Sequence, residues 1–198
     1  MQPTSEIVLG IPPAQQRQAA AIYYDAFRQK ISSMVGEDAD TAVDNLIEAM
    51  HPENAFVAMR EGQVLGLVGF QHGGRKLVDV RLGSLIRRYG LFSGLWRGLL
   101  DTIMARHPQR GEFLLDGIAV HTDARGQGVG TRLFDAVFAF AREQGYTHVR
   151  LDVVDTNPRA RQLYERLGFV AVQTIRVPFL RSLGFTAVTT MRYDLDDR

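Results

Sequence analysis

The sequence predicts an α/β fold, a sheet of mixed strand direction with helices packed against it. Three observations predict it. Through the second half, stretches of alternating apolar residues take turns with stretches of helical spacing. A glycine-rich run, Ala124–Arg132, joins an apolar strand-like segment to a helix-like one. Asn157-Pro158 and Gly168 bracket a further helix with a matched start and stop. In order, the elements read β-α-α-β-β, a helical insert, then β-α-β-α-β-β.

The 198 residues are 45% hydrophobic and 23% charged, which suits one domain over 1–198 with a core that needs no disulfide or metal staple. No cysteine is present, so disulfides, thiolate nucleophiles and zinc–thiolate sites are excluded. The formal net charge of +1 gives no argument for a nucleic-acid partner. No apolar run reaches bilayer-spanning length, and no basic segment followed by an apolar one opens the chain. The expectation is a cytoplasmic protein without leader or membrane contact.

Glu6–Leu9 is a short apolar stretch that fits a first strand, and Pro12-Pro13 stands where a helix begins. Ala19, Ile22, Tyr23, Ala26 and Phe27 follow at helical spacing, predicting a helix over Ala14–Lys30 that breaks at Ile31–Gly36. Val43, Leu46, Ile47 and Met50 mark a second helix, stopped by His51-Pro52 because the residue before proline disfavours the α region. Asn54–Arg60 and Gln63–Phe70 read as a hairpin turning at Glu61-Gly62 and ending at His72-Gly73-Gly74.

Arg75–Arg110 is the helical insert between the third and fourth strands. It carries Arg75, Lys76, Arg81, Arg87, Arg88, Arg97, Arg106 and Arg110 against only Asp79 and Asp101. Leu91, Leu95, Leu99 and Ile103 repeat within it at helical spacing. The favoured reading is a helix packed on the sheet with solvated arginines at its edges. The other is a substrate-side lid, or a basic entry for an anionic ligand.

Phe113–Val120 reads as a buried strand, and the segment Thr131–Glu143 after the glycine run as a helix with Leu133, Val137, Phe140 and Ala141 on one face. His148–Val154 alternates as a strand. Asn157 is a helix N-cap with Pro158 in the first turn, and Gly168 is placed for a left-handed stop after Leu167. Val170–Ile175 and Thr186–Leu195 are the last strands, with Pro178 in the connection between them.

Alternating glycines at 126, 128 and 130 let backbone N–H groups turn toward one point. At a helix start those groups have no intrahelical partner and carry the positive end of the dipole, which suits a phosphate. The spacing rejects the dinucleotide fingerprint, because Thr131 stands at its third glycine position, and no P-loop lysine exists. Taken bare, the run is as readily a tight strand–helix connection as a phosphate site.

The neighbours decide between these. Arg125-Gly126-Gln127-Gly128-Val129-Gly130 fits a [Gln/Arg]-x-x-Gly-x-[Gly/Ala] signature. Downstream, Asn157 to Phe169 fits Asn-x-x-Ala-x-x-Leu-Tyr-x-x-x-Gly-Phe. In both motifs, their order and their separation, the chain resembles the GCN5-related N-acetyltransferase family over about Leu114–Val172, and in element order alone before that. The resemblance implies the acyl-CoA N-acyltransferase fold, with a mixed, mostly antiparallel sheet and flanking helices. It implies acetyl-CoA as acyl donor, no metal, and an amine as acceptor.

Residue by residue, the resemblance implies that the strand before the loop splays from its neighbour, so that the backbone of Ile118, Ala119 and Val120 pairs with the pantetheine arm. Apolar side chains there fit a core strand equally well, and both can hold. The pyrophosphate is expected on the N–H groups of Arg125, Gly126, Gln127, Gly128, Val129, Gly130 and Thr131, with a charged contact from Arg125. Arg132 is read first as a solvated first-turn residue, with a second charged contact to the phosphate as the alternative. Asn157 has two readings, helix cap and contact to the cofactor arm, which one side chain can combine. Tyr164 by composition is a core aromatic; the resemblance implies instead the general acid that protonates the leaving thiolate.

An alkyl ammonium has no lone pair, so the acceptor must lose a proton before it attacks. Asp116, on the motif strand among apolar neighbours, is the first candidate base, Asp152 the second and Glu112 the third; each is alternatively a solvated or salt-bridged carboxylate. His121 and His148 have no partner at metal-ligand spacing. No serine stands in a hydrolase elbow.

The expectation is acetyl transfer to a primary amine of a small molecule by direct attack in a ternary complex, since no cysteine is present to carry the acyl group. The alternatives are a protein N-terminal or lysine acetyltransferase with a peptide acceptor, and a non-catalytic acyl-CoA-binding regulatory domain. Many members of the family are homodimers, and no interface signature stands out in this chain.

Overall fold

The fold is taken from a computed structural model, which describes residues 5–35, 38–79, 109–178, 181 and 184–196. Seven strands form one sheet: β1 (Glu6–Leu9), β2 (Ala55–Arg60), β3 (Gln63–Phe70), β4 (Glu112–Val120), β5 (His148–Val154), β6 (Val170–Arg176) and β7 (Ala187–Asp194), in the order β1-β2-β3-β4-β5-β7-β6. Every neighbouring pair is antiparallel except β4–β5, which is parallel. The mixed, mostly antiparallel sheet expected from the sequence is therefore present. Of the helical insert expected over about 75–110, residues 80–108 lie outside the described residues. Its described entrance is tied down: Leu77 is fully buried, the Asp79 N–H donates to the Ala49 carbonyl and Val78 bridges Met50.

Among the described residues four helices flank the sheet: α1 (Gln16–Val35), α2 (Ala39–Ala49), α3 (Val129–Glu143) and α4 (Pro158–Leu167). The break expected from Ile31 does not occur, since α1 runs on to Val35; Gly36 lies outside the described residues. Ser32 and Ser33 cost a helix only a few tenths of a kcal/mol each, too little to stop it. Asp38 starts α2 as its N-cap, accepting from the N–H groups of Asp40 and Thr41.

Strand alternation divides the core in two. Val57, Leu67 and Ala119 face α1 and α2, packing with Ala19, Ile22 and Leu46. Phe56, Val68, Phe113, Val149, Leu151 and Met191 face α3 and α4, packing with Leu133, Phe134 and Tyr164. Burying one such Leu or Phe stabilises the fold by about 1.5–3 kcal/mol; the α3/α4 layer holds β4 and β5 together, and the α1/α2 layer adds to β4 through Ala119.

Candidate functional site

The site begins where two strands part. β4 pairs with β5 only at Glu112, Phe113 and Leu114, opposite His148, Val149 and Arg150. Beyond that rung β4 stays with β3 while β5 stays with β7. A bulge sits at the parting: Gly69 faces Gly117 and Phe70 faces Leu115, so Asp116 is the extra residue. Gly117 cannot be replaced without displacing the Phe27 ring, because an ideal Cβ there lies 2.6 Å from Phe27 Cζ. Ile118, Ala119 and Val120 follow the bulge. Their side chains serve the core, and among the described residues no strand pairs with their β5-facing backbone edge.

A short turn, Thr122–Ala124, leads from β4 into the glycine run, and α3 begins at Val129, two residues earlier than the periodicity predicts. Gly126 and Gly128 hold φ of +75° and +76° with open space where a Cβ would stand, so left-handed backbone requires them. Gly130 is different. It lies within the helix, and a Cβ there would meet Leu163 Cδ2 at 3.3 Å, so it is the close approach of α4 that favours glycine. The Arg125 N–H bonds to the Thr122 carbonyl and the Arg132 N–H to the Gly128 carbonyl. Between them, among the described residues, no carbonyl is bonded to the N–H groups of Gly126, Gln127, Gly128, Val129, Gly130 and Thr131. Six donors at the positive end of a 15-residue helix form a cradle that fits a pyrophosphate.

The side chains of the turn are braced on neutral acceptors. Arg125 Nε donates to the Val120 carbonyl at 3.2 Å, and Arg132 Nη1 to Ser5 Oγ at 2.6 Å. Gln127 Nε2 donates to the Asp123 carbonyl at 2.6 Å, while its Oε1 accepts from Arg60 Nη2 at 3.3 Å. Val129 is buried, so only its backbone faces the cradle.

Asn157 caps α4: its Oδ1 accepts from the Ala160 N–H at 3.2 Å, which leaves the Nδ2 amide protons for another acceptor. Gly168 ends the helix at φ +98° with its N–H on the Glu165 carbonyl. Tyr164 is buried, its ring edge-on to Phe134 at 5.7 Å and tilted against Phe169 at 6.0 Å. Its hydroxyl makes no hydrogen bond to a described residue, and burial pushes the phenol up to about 12.

The three candidate carboxylates share the sheet face opposite α3 and α4, by alternation from the Glu112–His148 rung. Asp116 stands on the β4 side of the split. Its Oδ1 accepts from Gln71 Nε2 at 3.1 Å and its Oδ2 from the Leu77 N–H at 2.9 Å. Asp152 stands on the β5 side, with Oδ1 accepting from Thr190 Oγ1 at 2.6 Å and Oδ2 3.8 Å from Arg150 Nη2. Glu112 is buried below the split, ion-paired with Arg150 at 2.8 Å and 3.4 Å from His148 Nε2. The structure thus brings Asp116 and Asp152 to opposite lips of one gap and leaves Tyr164 behind the other face.

Three residues near the site carry no local signal in the sequence. Phe27 covers Gly117. Tyr23, its ring tilted against Phe27 at 4.6 Å, has its phenol pushed up by burial and by the Asp116 charge. Arg60 reaches Gln127 from 67 residues away. Among the described residues no group of His, Asp or Glu is arranged to hold a metal, and no helix is long and apolar enough to cross a membrane.

A family model described as Acetyltransferase (GNAT) family matches residues 19–169. A probable N-acetyltransferase camello of Xenopus tropicalis is 38% identical over 84 residues, covering 41% of this chain and 37% of that protein. A thialysine N-epsilon-acetyltransferase of Bos taurus is 41% identical over 54 residues, covering 27% of this chain and 32% of that protein. The matches thus span about a third of these relatives' own length. Among solved structures, yncA of Salmonella typhimurium, a putative acetyltransferase with its cofactor acetyl-CoA, shares the fold. Its TM-score is 0.61 at 19% identity, over 99% of this chain and 96% of that one.

Proposed function

This chain belongs to the GNAT family of acetyltransferases, and we propose that it transfers an acetyl group from acetyl-CoA to a primary amine of a small molecule, by direct attack in a ternary complex. The observation that carries the proposal is the split between β4 and β5 beside a turn of N–H groups without carbonyl partners. An extended amide-bearing arm adds to the free edge of Ile118, Ala119 and Val120 as an extra strand. A pyrophosphate then falls on the N–H groups of residues 126–131, with Arg125 supplying charge. The Asn157 amide, half used by the helix cap, contacts the arm from the β5 side.

The acceptor enters from the face of Asp116 and Asp152. Asp116, held in orientation by Gln71 and the Leu77 N–H, takes the ammonium proton through water, with Asp152 across the gap as the second candidate. The amine nitrogen attacks the thioester carbonyl, the C–N bond forms and the C–S bond breaks. The leaving thiolate takes its proton from the Tyr164 phenol, which burial keeps protonated at neutral pH. The thialysine acetyltransferase among the relatives supports a free, lysine-like amine as acceptor.

The test is release of CoA thiol from acetyl-CoA against a panel of primary amines that includes thialysine and lysine-containing or N-terminal peptides. Turnover is expected with small amines. Turnover with peptides alone overturns the acceptor class, and turnover with no amine overturns the enzymatic reading.

A further inference from the structure

We infer that Arg60 is a positioning residue for the acyl donor, its guanidinium brought to the glycine turn by the β2–β3 hairpin to take a phosphate of the donor's nucleotide portion. The inference rests on the donor reading above. Arg60 is the last residue of β2, opposite Gln63 across the Glu61-Gly62 turn. β3 lays this hairpin end against the start of the loop after β4, with Gly66 facing Val120 and the His121 N–H on the Leu65 carbonyl at 2.8 Å. From there Arg60 Nη2 reaches Gln127 Oε1, and Gln127 is itself fixed by its bond to the Asp123 carbonyl. Gln127 is therefore a bracket: one end holds the turn and the other holds a cation beside it.

The charge pattern sets this arginine apart from the ion-paired ones. Arg17, Arg75, Arg150, Arg161 and Arg192 each ion-pair with a carboxylate. Arg60 has no carboxylate partner among the described residues, and its Nε, like that of Arg150, is buried with no hydrogen-bond acceptor. Arg125 and Arg132, on the same turn, also rest only on neutral oxygens. Three guanidinium groups and the positive end of α3 thus surround one turn, and the carboxylate of Asp123 there is almost wholly exposed. Like charges gathered this way repel one another until a polyanion answers them. The nucleotide portion of acetyl-CoA is such a polyanion, with a pyrophosphate and a 3′-phosphate, and the planar fork of arginine matches phosphate oxygens two at a time. Little is lost when Arg60 turns to it. The bond given up is one 3.3 Å contact to a neutral amide, and the unsatisfied Nε gains an acceptor.

The experiment measures the melting temperature, and steady-state kinetics with the amine that turns over, for wild type, Arg60→Gln and Arg60→Lys. The donors are acetyl-CoA and its 3′-dephospho form. Arg60→Gln is expected to raise the KM for acetyl-CoA about tenfold, equivalent to about 1.4 kcal/mol, to leave kcat within twofold and to shrink the donor-induced rise in melting temperature. The melting temperature without donor stays level or rises, because a repelling charge is gone. Arg60→Lys, which keeps the charge and loses the fork, falls between. If the contact is the 3′-phosphate, wild type loses the same tenfold with the dephospho donor and Arg60→Gln loses no more. If it is the pyrophosphate, the variant loses tenfold with both donors. A KM within twofold of wild type for both donors refutes the assignment, as does a fall in melting temperature without donor unaccompanied by any change in KM. A wild type that shows no stabilisation by acetyl-CoA instead overturns the donor reading on which the assignment stands.

Discussion

Tyr164→Phe removes one oxygen from a ring packed between Phe134 and Phe169 and leaves the packing in place. Because that hydroxyl bonds to no described residue, stability at pH 7 should change by no more than about 0.5 kcal/mol. Alkaline stability should change more. Burial holds the folded-state phenol at about 12, above its ordinary 10. The unfolded chain therefore gives up this proton first, and the wild type loses stability as the pH rises from about 10 to about 12. Failing to ionise across that range costs the folded state about 3 kcal/mol relative to the unfolded chain, a loss that the phenylalanine variant escapes. Denaturant unfolding at pH 7, 10 and 11.5 measures it. As general acid, the same hydroxyl should supply about 10²–10⁴ of kcat, with KM for acetyl-CoA nearly unchanged. Parallel alkaline curves would show that the phenol is not buried as described. A kcat within threefold of wild type would remove Tyr164 from the chemistry.

Asp116→Asn should lower kcat about a hundredfold and abolish the acidic limb of the pH–rate profile, since an amide cannot accept the ammonium proton; an intact limb would pass the role to Asp152. Asn157→Ala should cost about 1 kcal/mol through the lost cap, a fall of about 2–4 °C in melting temperature. It should also raise the KM for acetyl-CoA severalfold, whereas an unchanged KM leaves Asn157 as a cap alone. Gly128→Ala, with its Cβ in open space but φ at +76°, should cost about 1–2 kcal/mol from left-handed strain and weaken acetyl-CoA binding, both readable by thermal melting with and without donor.

Much of the donor half is legible in the sequence because its signals are local. Asn157, Pro158 and Gly168 start and stop α4 by capping chemistry that acts within a few residues, and Gly126 and Gly128 declare a backbone that only glycine adopts cheaply. What escapes depends on distant contacts. The bulge at Asp116 is set by which residue of β3 faces Gly117, and pairing register across the 41 residues between β3 and β4 leaves no trace in periodicity. Gly130 has the spacing of a third phosphate glycine, but its neighbour Leu163 comes from another helix. Glu112 has the chemistry of a candidate base, yet the fold places it under Arg150 and His148. Arg60 closes an ordinary hairpin strand, and only the packing of that hairpin beside the turn gives it a role. The length of α1 escapes for a simpler reason: weak helix formers resemble a stop without being one.

The central claim is that the free edge of β4 and the N–H cradle of the glycine turn hold the acyl donor. Amide hydrogen exchange with and without saturating acetyl-CoA tests it most directly. The account predicts slowed exchange at residues 126–131 and along Ile118, Ala119 and Val120, with little change in β1 or β6. Saturable binding that protects neither segment, or no binding at all, would contradict it.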